Sequence, residues 1–235
     1  MASKKRKRKA QGNRRRNARR SARSSFPRPG LLVGVVVVAL VVVAALVLLN
    51  QGAAGSAAGS DVTAPDRSLG AADAPVEVLV YLDYQCPYCK RFAEGPEQQL
   101  REEYVVSGQV RLVVRNLAFI GDESTWAAEA AACAAEQDRF WDYHDKLFAE
   151  QRAENSGAFS RDNLKQFAAD LGLDTASFDQ CLDSDRYENM VRDERAEAQR
   201  RRIQATPSIL VNGQLIENGA NYTVLKAAIE AALAQ

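Results

Sequence analysis

The residues of this chain best suited to chemistry are two cysteines separated by two residues, Cys86-Pro87-Tyr88-Cys89. They follow an apolar run, Val76–Leu82, that predicts a strand buried on both faces. The stretch from Lys90 to about Ser107 predicts a helix. Pro87 suits the first turn of that helix because a proline lacks the N–H that stays unpaired there. Cys86 is therefore expected at the positive end of a helix, where a thiolate is favoured over a thiol.

A cysteine pair with this spacing on a strand-to-helix turn is typical of a dithiol redox site. The same pair could instead form half of a zinc site or a plain structural disulfide. We favour redox chemistry because the sequence holds no second closely spaced pair of cysteines or histidines to complete a zinc site. The sequence therefore predicts Cys86 as nucleophile and Cys89 as its resolving partner, with no metal and no cofactor.

The other two cysteines, Cys133 and Cys181, lie 48 residues apart on two predicted helices, among apolar neighbours. We predict a structural disulfide between them. The alternative is a second redox pair that relays electrons from the first. An even number of cysteines suits an oxidising compartment, where all of them can be paired.

The chain has a single histidine, His144. Its neighbours at helical spacing are Phe140 and Leu147, so they share one face of the predicted helix. We expect a histidine on an apolar face, with one hydrogen bond, rather than a catalytic residue.

Charge is distributed unevenly along the chain. Residues 1–30 hold 13 of the 31 lysines and arginines and none of the 30 acidic residues, so the remainder carries a net charge of −12. Residues 31–49 carry no charge and, as a helix, would be roughly 29 Å long, about the thickness of a bilayer core. We predict a transmembrane helix at 31–49, with the basic tail 1–30 in the cytoplasm and the rest outside the membrane.

Two alternatives concern this N-terminal region. The apolar segment could belong to a cleaved signal peptide, but such segments usually span about 7–15 residues, so we favour a retained anchor. The basic tail could bind nucleic acid, although a topology signal that touches anionic lipid accounts for the same residues. Residues 50–67, rich in Gly, Ala and Ser, are predicted to form a flexible linker.

The remaining pattern predicts the elements of an α/β domain over residues 68–235. Val110–Arg115 reads as a second strand, parallel to the first because a helix connects them. Residues 122–202 are helical by pattern. Strands then return on both sides of Asn212-Gly213, a strong hairpin signal, and a last helix begins near Tyr222. The order is β-α-β, a helical insertion, then β-β-α.

This order, with a C-x-x-C after the first strand, predicts the thioredoxin fold with a helical insertion. Three segments also carry a resemblance to a family, in matching order and with matching gaps: Leu82-Asp83-Tyr84-Gln85-Cys86-Pro87-Tyr88-Cys89, Phe140-Trp141-Asp142-Tyr143-His144-Asp145-Lys146-Leu147-Phe148 and Thr206-Pro207-Ser208-Ile209-Leu210-Val211-Asn212-Gly213. The chain resembles DsbA-like thiol:disulfide oxidoreductases, particularly the membrane-anchored bacterial kind, over about residues 68–235.

The resemblance implies that Pro207 is a cis proline facing the cysteines and that the backbone of Thr206 pairs with substrate chains. It also suggests reoxidation by a quinone-linked membrane partner. Two positions depart from the family pattern. Tyr88 stands where the more oxidising members have a histidine, and Val80 stands where thioredoxins and many relatives have an acid.

The function expected from these features is an extracytoplasmic oxidant that introduces disulfides into reduced, unfolded secreted or cell-envelope proteins. One alternative is a disulfide isomerase or reductase of the same fold. Another, from a different class, is a non-catalytic chaperone or binding module in which the dithiol is inert. Known dithiol proteins have reduction potentials between about −270 and −120 mV, and the sequence is compatible with the whole of this range.

Overall fold

The computed structural model describes residues 65–235. The predicted tail at 1–30, the apolar segment at 31–49 and nearly all of the linker at 50–67 lie outside the described residues. Within residues 65–235, none of the helices is both long enough and apolar enough to cross a membrane.

A five-stranded mixed sheet forms the centre of the domain. Its strands are β1 Ser68–Leu69, β2 Val76–Leu82, β3 Val110–Asn116, β4 Ser208–Val211 and β5 Gln214–Leu215. They lie in the order β1-β3-β2-β4-β5. The first and second strands predicted from sequence, β2 and β3, are parallel along their full length, as the βαβ pattern required, and the other neighbouring strands are antiparallel.

Strand β2 is buried on both faces except at Glu77, so each face contributes to a separate core. Val78, Val80 and Leu82 join the larger core, whereas Leu79 and Tyr81 join a smaller core on the other face. The cysteine pair follows the end of a strand that packing holds from both sides.

Two helical segments follow the cysteine pair, where the sequence predicted one helix to Ser107. Helix α1 spans Pro87–Ala93, and helix α2 spans Pro96–Leu100 and continues as a π-helical segment, Arg101–Val105. The prediction of one uninterrupted helix was wrong because Pro96 lacks the N–H that the helix would need there.

The helical insertion consists of five helices, two of which begin at a side-chain cap. Ser160 caps α5 by accepting the N–H of Asn163, and Asp174 caps α6 by accepting those of Ala176 and Ser177. The insertion helices are α3 Asp122–Ala135, α4 Phe140–Glu150, α5 Arg161–Asp170, α6 Thr175–Asp183 and α7 Glu188–Arg200.

The C-terminal elements follow the predicted order. Asn212 and Gly213 both have positive φ, 47° and 78°, which is the conformation of a two-residue hairpin turn between β4 and β5. Helix α8, Tyr222–Leu233, closes the domain and buries Leu225 and Ile229 in the larger core.

Candidate active site

The turn between β2 and α1 fixes the position of both cysteines. Cys86 precedes the first residue of α1, with extended backbone angles of φ −71° and ψ 120°. Its N–H donates to the carbonyl of Asp83 at 3.0 Å. The Cys86 side chain is 6% exposed and that of Cys89 is 1% exposed, and both thiols are free. Only Cys86 is therefore within reach of a partner outside the protein.

The two thiols have opposite acidities. The pKa of Cys86 is lowered from its ordinary value of 9.0 to about 6, chiefly by a hydrogen bond from the Cys89 thiol. Burial opposes this shift, but the Thr206 side chain and the N–H groups of Cys89 and Tyr88 reinforce it. Burial raises the pKa of Cys89 well above 9.0, and its hydrogen bond to Cys86 adds to the effect.

The loop before β4 faces the cysteines. The peptide bond between Thr206 and Pro207 is cis. The Thr206 carbonyl accepts the thiol proton of Cys86, with Sγ 3.4 Å from the oxygen. The backbone of Thr206 therefore lies beside the one free thiol that is within reach from outside.

A cleft of about 480 Å³ opens beside Cys86. Two exposed aromatic side chains stand at this cleft, Tyr88 at 61% and Phe119 at 44% exposure. The guanidinium of Arg91 lies 4.3 Å from the centre of the Tyr88 ring. The cleft is lined by Cys86, Pro87, Tyr88, Phe119, Ile120, Glu154, Gln204, Ala205 and Thr206.

Residues of the insertion hold the cysteine turn in place. The side-chain amide of Gln151 donates to the carbonyl of Tyr84 at 2.6 Å and to that of Cys86 at 3.0 Å. The side chain of Gln85 accepts from the N–H of Asn155 at 2.6 Å. Sequence reasoning missed these residues because Gln151 and Asn155 lie some 65 positions from the cysteines, in a segment without a periodic pattern.

The two positions that depart from the family pattern, Val80 and Tyr88, have different surroundings. Val80 is fully buried in the larger core, so the position carries no proton acceptor for Cys89. Tyr88 points outward rather than onto the thiols. It influences Cys86 through its backbone N–H, which lowers the pKa of that thiol.

His144 forms the single hydrogen bond expected from sequence, and a buried carboxylate also lies close to its other ring nitrogen. Its Nδ1 lies 3.1 Å from the Tyr84 hydroxyl, and its Nε2 lies 3.2 Å from Glu97. It is fully buried, among the rings of Phe140, Trp141 and Phe148. The second partner, Glu97, comes from a helix that is remote in sequence, so the periodicity of α4 could not indicate it.

Glu97 is a buried acid that the sequence analysis did not single out. Burial raises its pKa, but His144 and Arg101 outweigh that effect and hold it below the usual range. In the described part of the chain, Glu97, His144 and Asp145 form the one group of potential metal ligands. Arg101 forms ion pairs with both carboxylates, so a protein cation already neutralises this group.

Cys133 and Cys181 are joined by a disulfide that links α3 to α6, with the two Cα atoms 5.9 Å apart. Both side chains are buried in the larger core. They belong to the packing between insertion helices, whereas Cys86 and Cys89 lie at the end of the sheet.

The family of this chain follows from comparison with known proteins. A family model described as Thioredoxin matches residues 63–231, which is most of the chain and nearly all of its described part. The chain belongs to the thioredoxin family. Among its members, similarity is to the DsbA-like thiol:disulfide oxidoreductases, as the three sequence segments indicated.

Individual members support this placement. The probable disulfide bond formation protein D of Bacillus anthracis is 32% identical over 168 residues, covering 70% of this chain and 76% of that protein. Disulfide bond formation protein D of Bacillus subtilis is 32% identical over 165 residues, covering 69% and 74%. The crystal structure of oxidised BdbD from Bacillus subtilis superposes with a TM-score of 0.68 at 31% identity, covering 72% of this chain and 94% of that one. This member of the thioredoxin family is therefore a protein-disulfide oxidoreductase.

Proposed function

We propose that this protein is an extracytoplasmic oxidant that introduces disulfides into secreted or cell-envelope proteins through Cys86 and Cys89. The observation that carries the proposal is the unequal acidity of the two thiols. A pKa of about 6 makes the Cys86 thiolate a good leaving group near neutral pH. A stable Cys86 thiolate also stabilises the dithiol form of the enzyme, and an enzyme whose dithiol form is stable is a strong oxidant.

The exchange begins from the Cys86–Cys89 disulfide. A thiolate of the substrate attacks Sγ of Cys86, the bond between the two cysteines breaks, and Cys89 leaves and takes up a proton. The second substrate thiolate then attacks the substrate sulfur of the mixed disulfide, and Cys86 leaves as a thiolate. The substrate loses two electrons and gains a disulfide, while the enzyme gains those two electrons as a dithiol.

The surroundings of Cys86 suit an unfolded polypeptide. The backbone of Thr206 lies beside the thiol, where it can pair with an extended chain. Tyr88 and Phe119 offer exposed apolar surface to the side chains on either side of the reacting cysteine. Reduced, unfolded proteins present such side chains, whereas folded proteins bury them.

The location and the reoxidising partner belong to the same proposal. The apolar segment 31–49 would anchor the protein, with the basic tail 1–30 as a topology signal rather than a nucleic-acid site. Residues 50–67 would tether the catalytic domain on the outer side. A quinone-linked protein of the same membrane would then reoxidise Cys86 and Cys89, as the family resemblance suggests.

The first test is a redox titration of residues 51–235 in glutathione buffers, with the state of Cys86 and Cys89 read by mass after thiol trapping. We expect a potential above about −180 mV, on the oxidising side of protein disulfide isomerase. A value near −270 mV, close to thioredoxin, would instead indicate a reductase.

Two variants and one topology measurement complete the test. Cys86→Ala should abolish the oxidation of a reduced substrate protein. Mixed with a disulfide-bonded substrate peptide, Cys89→Ala should attack it through Cys86, release one peptide thiolate and accumulate the mixed disulfide, because the resolving thiol is missing. Full activity of Cys86→Ala would end the proposal. If the domain lies outside the membrane, protease added to intact cells stripped of their cell wall or outer membrane should digest residues 68–235. The basic tail, residues 1–30, should be protected.

A further inference from the structure

Asp83 is a buried acid directly below the cysteine turn. It is the first residue after β2, and its side chain is 1% exposed. One carboxylate oxygen accepts the N–H of Gln85 at 2.8 Å and the hydroxyl of Ser124 at 2.6 Å. The other accepts the N–H groups of Phe119 at 2.9 Å and Ile120 at 3.2 Å. A carboxyl group that accepts four hydrogen bonds and donates none is the ionised form.

The negative charge of Asp83 is held by neutral donors. Among residues 65–235, no lysine or arginine forms an ion pair with it. A buried carboxylate that is neutralised only by dipoles projects more of its field onto nearby groups than one paired with a cation. The two cysteines of the active site, Cys86 and Cys89, follow Asp83 closely in the chain.

The donors to Asp83 come from three segments that surround Cys86. Gln85 belongs to the turn itself, Ser124 to the first turn of α3, and Phe119 and Ile120 to the wall of the cleft beside the thiol. Through its main chain, Asp83 also reaches the cysteine turn. Its carbonyl accepts the N–H of Cys86 at 3.0 Å.

We propose that Asp83 is a positioning residue of the redox site with two effects. It holds the cleft wall of Phe119 and Ile120 against Cys86, and its negative charge keeps the reduction potential of the cysteine pair lower than the helix terminus and Thr206 alone would set it. The inference rests on the proposed function, since both effects concern exchange at Cys86.

Asparagine at this position would change both effects. Asp83→Asn keeps the shape but removes the charge, and it turns one acceptor into a donor that faces other donors. Without the charge, the Cys86 thiolate is more stable, so the dithiol form gains relative to the disulfide. We expect the equilibrium constant for reduction by glutathione to rise roughly tenfold, which corresponds to about 30 mV for a two-electron couple.

The loss of hydrogen bonds to the cleft wall should appear in substrate binding. We expect KM for a reduced peptide with apolar residues beside its cysteine to rise roughly fivefold, since an amide cannot accept all four hydrogen bonds and the wall is then less firmly ordered. The rate of alkylation of Cys86 by a small reagent that does not touch the wall should not fall.

Glu123→Gln is the matched control. Glu123 is also buried and also accepts two backbone N–H groups, those of Gly157 at 2.9 Å and Phe159 at 2.8 Å, but its carboxylate forms no hydrogen bond with the cysteine turn. Its loss should cost stability and leave both the potential and KM unchanged. Equal shifts in both variants would mean that any loosening of the insertion alters the site, which would overturn the role of Asp83.

Ser124→Ala provides a second variant that keeps the charge. It removes the 2.6 Å donor, so the charge of Asp83 is less neutralised and the Cys86 thiolate is less stable. The equilibrium constant for reduction should therefore fall, roughly threefold, opposite in direction to Asp83→Asn. If neither variant moves the potential of a protein whose wild type exchanges thiols normally, the inference fails. A wild type that does not exchange thiols would refute the proposed function instead.

Discussion

The pH dependence of the reduction potential gives the sharpest prediction. The pKa of Cys86 in the folded, reduced protein is about 6, against an ordinary value of 9.0. A lowered folded-state pKa contributes stability that is fully present above the ordinary value and is lost as the pH falls through the folded value. The window for Cys86 therefore lies between about pH 6 and pH 9.

The two pKa values set the size of the effect. At about pH 7, ionisation of Cys86 stabilises the reduced, folded protein by about 1.4 kcal/mol, and above about pH 9 by about 4 kcal/mol. The oxidised protein gains no stability from ionisation of Cys86, because a disulfide does not titrate. At about pH 7 the cysteine pair should thus be about tenfold easier to reduce, or about 30 mV more oxidising, than a pair with an ordinary first thiol.

The assay is equilibrium with glutathione at a series of pH values, with thiol trapping and mass measurement. Below about pH 6, reduction takes up two protons with two electrons, so the potential should fall by about 59 mV per pH unit. Above that value only Cys89 takes up a proton, and the slope should halve to about 30 mV per pH unit. The ultraviolet absorbance of the Cys86 thiolate should titrate with its midpoint at about pH 6, and this change should be missing in Cys86→Ser. A single steep slope up to about pH 9 would refute the assigned acidity and the argument built on it.

Two further predictions concern stability. The double variant Cys133→Ala and Cys181→Ala opens a loop of 48 residues, and the free energy of unfolding in urea should fall by about 4 kcal/mol while thiol exchange at Cys86 persists. Unchanged stability with impaired exchange would instead support an electron relay. Glu97→Gln leaves Arg101 and His144 without their buried carboxylate partner. The free energy of unfolding in urea should therefore fall by about 3 kcal/mol. Because the pKa of Glu97 is lowered, its contribution should vanish as the pH falls through the folded-state value, whereas Asp183→Asn, in the exposed pair with Lys165, should cost little.

Local patterns in the sequence were sufficient to predict most of the elements. The double-faced apolar run of β2, the caps Ser160 and Asp174 and the Asn212-Gly213 turn each act within a few residues, and each forms as its pattern indicates. The break at Pro96 was the exception. A signal for it was present, since a proline inside a helical pattern ends or kinks the helix.

The polar contacts of the site could not be predicted in the same way. The cysteine turn is contacted from the insertion by Gln151, Asn155 and Ser124. His144 in α4 is approached by Glu97, which belongs to α2. Polar residues in loops and on helix surfaces carry no periodic signal. Their partners are set by how the insertion packs on the sheet.

The sequence by itself determined the chemistry of this protein. A C-x-x-C after a buried strand and before a helix defines which two atoms react, because the spacing and the helix terminus are local properties of the chain. Only the tertiary structure decided how the two thiols differ. The low pKa of Cys86 depends on the Cys89 thiol and on the side chain of Thr206, which lies 120 residues away. The acidity of a thiol is set by all the dipoles and burial around it. Those surroundings exist only after the sheet, the cis-proline loop and the insertion have come together.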